Sequence, residues 1–409
     1  MARSVLQGPL TILIGADTYP PDINGAAMST YRLAMGMKAR GHKVHVIAAR
    51  SEVGPSVSGV EDGVTVHRLR SHAAPTHPTL RLCLPWQIKG EVRKIFKDVS
   101  PDVAHIQCHY MVGESVAKEA VRSGTRLIAT NHFMPENMNP FLPFPQWFLK
   151  IVAKNSWRDM DKVLGMADVI TTPTTKSAET MYSHGFSRSV VPVSNGIDAE
   201  RYELAPGELI DKPEAPVILF VGRLAKEKNV DQLIDAFALL PADLEARLEI
   251  VGVGEQRPAL EMKAKHLQVA EKVTFTGFAT DEELRCAYLR SSVFAMPGTA
   301  DLQSLVSLEA MSASKPLVLA NALALPHLVN EGINGFLFTP GDRREFSRQI
   351  ERILRLSEQE RHAMGTASRA MVAQHSFATS MTILESLYRS DRRDEEALPP
   401  SETTADVRK

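Results

Sequence analysis

Asp301 and Glu309 stand eight positions apart in the stretch Gly298-Thr-Ala-Asp-Leu-Gln-Ser-Leu-Val-Ser-Leu-Glu-Ala-Met311, with small residues before them and an apolar run between. The pattern predicts Asp301 in a loop and a helix opening near Ser304. Glu309 then falls about a turn and a half inside that helix. A helix start offers unpaired N–H groups and the positive end of the dipole, so it attracts phosphate. A carboxylate repels phosphate but accepts hydrogen bonds from the hydroxyls of a sugar or ribose. Two carboxylates flanking an anion site therefore point to a nucleotide-sugar pocket. The competing reading is a solvated loop Asp and a surface-helix Glu, and the spacing alone leaves both open.

Three loops that follow β-rich runs add further candidates. The first, Asp17-Thr-Tyr-Pro-Pro-Asp-Ile-Asn-Gly-Ala-Ala-Met28, places Gly25 at a helix start, where backbone can approach an anion closely. It is no GxGxxG, so a dinucleotide site is not supported, and a plain loop with Asn24 as N-cap is the alternative. The second, Ala129-Thr-Asn-His-Phe-Met-Pro-Glu-Asn137, places His132 directly after a strand end. There it can bond a substrate hydroxyl or carry a proton, or be structural. His105 reads as a buried strand position and His109 as a second candidate. The third, Phe220-Val-Gly-Arg-Leu-Ala-Lys-Glu-Lys-Asn-Val230, places Arg223 and Lys228 between a strand and a helix. A forked guanidinium and a mobile ammonium neutralise a diphosphate leaving group without a metal. Asp159-Met-Asp161 has the DxD form of a metal motif, but it lies in the helical pattern Trp157–Met166 and reads as a solvated face.

The elements that position these residues alternate. Strands are predicted at Thr11–Ala16, Lys43–Ala48, Val103–Gln107, Arg126–Thr130 and Asp168–Thr172, with a helix at Ala26–Arg40. A second series runs through Pro216–Val221, Arg247–Val251, Lys272–Phe275, Val293–Met296 and Pro316–Ala320. Repeated βα units imply an α/β protein with parallel sheets covered on both faces. Two series give two doubly wound, Rossmann-like domains, divided in the Pro- and Gly-containing stretch Asp198–Glu214. Ligands of such domains sit beyond the carboxyl ends of the strands, so two domains facing one central cleft can hold two substrates. The expected organisation is 1–197, 198–375, a helix at 376–391 packing back on the first domain, and a disordered tail at 392–409.

The chain has 409 residues, 44% hydrophobic and 23% charged, which is enough for more than one core. Residues 1–200 carry 22 Lys and Arg against 17 Asp and Glu, and the remainder 25 against 31. The basic first half hints at an anionic surface such as a membrane, with chance scatter as the alternative. Cys83, Cys108 and Cys286 make neither a disulfide framework nor a metal cluster, which favours the cytoplasm. No apolar stretch approaches a membrane span, so membrane contact is expected to be peripheral. The segment from Phe141 to Arg158 mixes aromatics with Lys150, Lys154 and Arg158 and fits a membrane interface or an ordinary amphipathic helix.

Together these residues resemble the retaining family 4 glycosyltransferases of the GT-B fold, among them bacterial lipid glycosyltransferases. The resemblance runs from the Gly25 loop through Ser194-Asn-Gly-Ile-Asp198 and Val221-Gly-Arg-Leu to the acidic pair, and on to Asn334-Gly335 after a helix beginning near Leu325. Asp301 stands where Glu is commoner, and Leu302-Gln303-Ser304 where the family usually has Ser-Phe-Gly.

The resemblance implies roles. Arg223 and Lys228 hold the donor diphosphate with the N–H groups of Ser304, Leu305 and Val306. Glu309 binds the ribose, Asp301 the transferred sugar, and His132 lines the reaction centre. Gly25 brings the first domain against the donor phosphate. It also implies a UDP- or GDP-sugar donor, no metal or other cofactor, and a glycerolipid or phosphoinositide acceptor at the inner leaflet. No nucleic-acid partner is expected. A nucleotide-sugar 2-epimerase and a non-catalytic nucleotide-sugar-binding membrane scaffold are the alternatives.

Overall fold

A computed structural model of the chain describes residues 8–22, 24–74, 81–135, 144–205, 207–208, 210–211 and 213–390. The predicted tail at 392–409 lies outside the described residues, as do residues 136–143 and parts of the stretch between the two strand series.

The first domain contains β1 (Thr11–Ala16), β2 (Lys43–Ala49), β3 (Val57–Glu61), β4 (Val64–Leu69), β5 (His72–Ala73), β6 (Arg81–Leu82), β7 (Val103–Ile106), β8 (Arg126–Thr130), β9 (Val169–Thr172) and β10 (Val190–Pro192). Its main sheet has the order β10-β9-β8-β7-β1-β2-β4-β3. All neighbours in it are parallel except β3 and β4. Helices α1 (Gly25–Ala39), α2 (Pro85–Val99), α3 (Met111–Ser123), α4 (Gln146–Leu164) and α5 (Thr175–Ser183) accompany it. The second domain contains β11 (Val217–Val221), β12 (Arg247–Val251), β13 (Val273–Gly277), β14 (Val293–Met296), β15 (Leu317–Ala320) and β16 (Gly335–Phe338). They form one parallel sheet in the order β13-β12-β11-β14-β15-β16. Its helices are α6 (Val230–Ala238), α7 (Arg257–His266), α8 (Asp281–Arg290), α9 (Leu305–Ser312), α10 (Arg343–Leu354) and α11 (Glu358–Val372).

The central parallel strands β1 and β11 read as near-continuous apolar runs because helices cover both their faces. Ile12, Leu13 and Ile14 are all fully buried, and so are Ile218, Leu219 and Phe220. The central strand of each domain therefore feeds its following loop to the cleft. Helix starts are fixed locally: the Asn24 side chain accepts from the Ala27 N–H at 2.9 Å and opens α1.

The structure departs from the sequence reading in several places. The hairpin of β3 and β4 joins the sheet edge, turning at Asp62 and Gly63 with φ of 48° and 73°. Strand β3 is exposed along its length, so it carries no apolar period to announce it. The helix expected near Leu325 is a single 3-10 turn, Pro326–Leu328, ended by an extended Val329. The polypeptide leaves the first domain at Ile197 and returns at Phe377. These crossings pair: Ile197 N–H donates to His375 at 2.8 Å and Phe377 N–H to Ile197 at 3.0 Å. Helix α12 (Phe377–Arg389) then lies against the first domain, where the Tyr388 hydroxyl and His105 Nδ1 are 2.7 Å apart. Among the described residues no helix is long and apolar enough to cross a membrane.

Candidate active site

The loop after β11 carries Arg223 and Lys228, and the loop after β14 carries Asp301. The two loops meet. Lys228 Nζ lies 2.6 Å from Asp301 Oδ1, both side chains being 18% exposed. Asp301 Oδ2 is buried without a hydrogen-bond partner among the described residues. Gly298 makes room for the pair, since a Cβ there would stand 3.2 Å from Asp301 Oδ2 and 3.5 Å from Lys228 Cδ. Arg223 is ion-paired with Glu227 four residues on. Both cations are therefore held by carboxylates.

Backbone packing fixes Arg223. Gly222 N–H donates to Val251 at 3.0 Å and Leu224 N–H to Val253 at 2.8 Å. A Cβ on Gly252 would sit 1.9 Å from the Gly222 carbonyl, and one on Gly254 2.3 Å from that of Leu224, so only glycine lets the two loops touch. Val253 and Phe278, at the ends of β12 and β13, are 37% and 70% exposed and form apolar surface at that rim.

Helix α9 begins where the spacing requires. The Ser304 hydroxyl accepts from the Ser307 N–H at 3.3 Å, leaving the N–H groups of Ser304, Leu305 and Val306 outside the intrahelical ladder. Glu309 lies partly buried on this helix. Its Oε2 accepts from the Tyr288 hydroxyl at 2.8 Å, and Tyr202 bonds it as well. Burial pushes the Glu309 carboxyl above its ordinary value; Tyr288, Arg32, Tyr202 and Arg201 counter that. Arg32 belongs to α1, so the first domain contributes charge to this carboxylate.

Leu302 and Gln303 join the domains. Leu302 packs into the apolar core of the first domain, and its carbonyl accepts from the Thr174 and Ser177 hydroxyls at the start of α5, both at 3.0 Å. Gln303 Nε2 donates to the Ser194 hydroxyl at 2.8 Å while its Oε1 accepts from the Asn195 N–H at 2.9 Å. The segment that follows Asp301 is thus pinned to the first domain.

On the first domain, Gly25 is exposed and a Cβ there would meet nothing within 4 Å. His132 Nε2 lies 2.8 Å from Gln107 Oε1. Burial pushes the His132 imidazole down to about 4, so it is neutral at physiological pH. Asp159 is exposed and Asp161 half-buried on α4, on either side of the fully buried Met160. Tyr288, Tyr202, Arg32 and Gln107 did not emerge from the sequence as site residues, and Gln303 emerged only as a departure from the family pattern. The rule that selected His132, a polar residue just past a strand end, also fits Gln107. Glu309's phenols come from distant elements and carry no such local signal.

Two facing doubly wound domains, with cations and carboxylates gathered at one domain's strand ends, define a GT-B glycosyltransferase. The chain belongs to the family 4 type. Residues 23–201 match the model described as Glycosyltransferase Family 4, and residues 205–371 that for Glycosyl transferases group 1. It is 27% identical over 372 residues to a GDP-mannose-dependent alpha-mannosyltransferase of Mycobacterium tuberculosis, spanning 90% of this chain and 93% of that protein. It is 24% identical to the alpha-monoglucosyldiacylglycerol synthase of Acholeplasma laidlawii, across 82% and 87% of the two chains. The fold matches sucrose-phosphate synthase from Thermosynechococcus elongatus with a TM-score of 0.76 at 17% identity, over 96% of this chain and 100% of that one. It matches Anabaena HepE in complex with UDP-glucose at 0.70 and 19%, over 92% and 99%.

Proposed function

We propose that this glycosyltransferase moves a hexose-type sugar from a UDP- or GDP-sugar, with retention of anomeric configuration, to a hydroxyl of a membrane glycerolipid or phosphoinositide. The observation that carries the donor half is the meeting of Lys228 with Asp301 beside the start of α9, with Glu309 farther along the same helix. Lys228, Arg223 and the first N–H groups of α9 take the diphosphate and stabilise it as it leaves. Asp301 accepts from hydroxyls of the transferred sugar, Glu309 from the ribose, and His132 bonds the sugar from the other domain. Gly25 lets backbone approach the phosphate. The leaving phosphate oxygen takes the acceptor proton on the face it departs from, which keeps the configuration. Relatives named for GDP-mannose and for a diacylglycerol product support both halves.

The reading is tested by thermal shift with UDP, GDP and their sugars, followed by transfer to diacylglycerol or phosphatidylinositol vesicles. One nucleotide should raise the Tm selectively, because a ligand of the folded state stabilises it by mass action. Its sugar should then appear on lipid with the α or β configuration of the donor. Consumption of donor to an epimer without acceptor would establish the 2-epimerase instead. Binding without turnover would establish the scaffold.

Helix α4 is the proposed membrane contact. Trp147 and Ile151, four residues apart on one face, are 65% and 48% exposed, and Phe144 just before the helix is 47% exposed. Lys150, Lys154 and Arg158 are exposed at the same four-residue interval. An apolar edge beside a basic stripe suits an anionic leaflet. Trp147→Ala with Ile151→Ala should weaken sedimentation with phosphatidylglycerol vesicles by about tenfold or more, the loss of roughly 1.4 kcal/mol. Nucleotide binding should be unchanged. Equal sedimentation of the double variant and the wild type would remove α4 from the membrane surface.

A further inference from the structure

Strands β7 and β8 are paired neighbours, and Gln107 and His132 follow their carboxyl ends. Gln107 is 3% exposed. With the Gln107 amide turned so that Oε1 faces His132 Nε2 at 2.8 Å, the contact has one hydrogen position. A carbonyl oxygen only accepts, so Nε2 carries the hydrogen and Nδ1 keeps its lone pair.

The same amide orientation leaves Gln107 Nε2 buried with no partner among the described residues. Asn131 Nδ2 and both ring nitrogens of His109 are in the same condition, in side chains 1% exposed. A buried polar group without a partner costs about 1–3 kcal/mol. Gln107 Nε2, at a strand end beside the partly exposed His132, leaves room for a ligand oxygen to complete it.

The surroundings decide what kind of oxygen. Burial pushes His105 down to about 3 and His109 to about 4. The Asp17 carboxylate, at the end of β1, is occupied by the Cys108 thiol at 2.7 Å and the Val112 N–H at 2.9 Å. Glu114 of α3 acts on His109 alone among these histidines. These groups therefore offer neutral N–H donors and the imidazole lone pairs of His132 and His109, with no cation among them for a phosphate. They suit a neutral ring bearing hydroxyls.

We propose that Gln107 is the positioning residue for His132, holding the imidazole in its Nε2–H form so that Nδ1 accepts from a hydroxyl of the transferred sugar, while the Gln107 amide N–H donates to an oxygen of the same sugar. The inference rests on the sugar-transfer reading above. It makes the Gln107–His132 pair a reader of the sugar and leaves the nucleotide to the second domain.

The test uses Gln107→Leu and Gln107→Glu in the full chain, with nucleotide release from the sugar nucleotide selected by thermal shift. Gln107→Leu should lower kcat roughly 10–100-fold, by analogy with the loss seen when the outer partner that fixes the tautomer of a metal-bound histidine is removed. Its Kd for the free nucleotide, which lacks the sugar, should match the wild type. In Gln107→Glu the new carboxylate faces Nε2 and favours the imidazolium, which has no lone pair to offer. The acid limb of the pH–rate profile should therefore move up by about one to two pH units relative to Gln107→Leu. Wild-type rates in Gln107→Leu, or identical pH profiles in the two variants, would show that Gln107 merely fills space. Should Gln107→Leu not fold, the ring 15N shifts of wild-type His132 decide the matter: an Nδ1–H tautomer overturns the proposal. Failure of the wild type to bind any sugar nucleotide would instead strike the function on which the inference rests.

Discussion

Lys228→Ala will slow nucleotide release from the sugar nucleotide by roughly 100–1,000-fold, the loss seen when one preorganised donor to a developing negative charge is removed. The ammonium joins the β11 loop to Asp301, and in the proposed function it stands at the junction of sugar and diphosphate. Its removal takes away a charge the leaving group needs and frees the Asp301 carboxylate to repel the phosphate. Each side chain of the pair is only 18% exposed, and removing Lys228 leaves a largely buried carboxylate uncompensated, so the variant should also melt below wild type and its rate is read well below that Tm. Lys228→Arg should restore only part of the rate, because a planar fork cannot stand in for a compact ammonium against a single carboxylate oxygen. Asp301→Asn separates the two roles by opposite signs. With its partner neutral, Lys228 is freer for phosphate, so the free nucleotide binds more tightly. Turnover nonetheless falls, because the sugar loses its charged acceptor. Steady-state kinetics with isothermal titration of UDP or GDP reads both. A rate within threefold of wild type for folded Lys228→Ala, measured below its Tm, would place the diphosphate elsewhere.

Much of this arrangement is written locally. Runs such as Thr11–Ala16 and Val217–Val221 are apolar on both faces, and only a strand covered on both faces needs that. Ser304 reads as a cap because its hydroxyl serves the first turn of its own helix. What stayed hidden depends on pairing across distance. The β3–β4 hairpin carried one local sign, Asp62-Gly63, the residue pair that tolerates the positive φ of a tight turn. The exposed strand on one side of it showed no period to support that sign. Leu302 and Gln303 read as departures from a family pattern, yet their contacts are with Thr174, Ser177, Ser194 and Asn195 of the other strand series. No periodicity in residues 298–311 contains that information, because domain apposition supplies the partner. The same holds for Glu309. Its place on α9 follows from spacing, but the phenols that hold it come from α8 and from the turn beyond the domain crossing.

Those phenols make Glu309 the site of the second large effect. Glu309→Ala takes one acceptor from the fully buried Tyr288, which keeps the Val306 carbonyl at 3.1 Å, and leaves Tyr202, 6% exposed, without its Glu309 partner. An unpaired buried hydroxyl costs about 1–3 kcal/mol, so this variant should melt below wild type even before ligand is added. Its nucleotide-induced rise in Tm should vanish. Loss of fold and loss of site are confounded there, and Glu309→Gln separates them. The amide oxygen still accepts from Tyr288, and a buried charge is gone, so the Tm should hold or rise. The ribose meanwhile exchanges a charged acceptor for a neutral one, a difference of about 1.5 kcal/mol or more, or tenfold in Kd. The pH dependence carries the signature. Burial raises the Glu309 pKa in the folded protein, so its protonated share grows at a higher pH than for an exposed glutamate. Wild-type nucleotide affinity should therefore fall as pH drops through that raised value, whereas Glu309→Gln should show no such decline. A 2′,3′-dideoxynucleotide supplies the converse probe: it should bind wild type and Glu309→Gln with nearly equal affinity, because the hydroxyls that tell the two proteins apart are missing. Equal discrimination by both proteins would mean that Glu309 serves the phenols of its own domain and not the ribose.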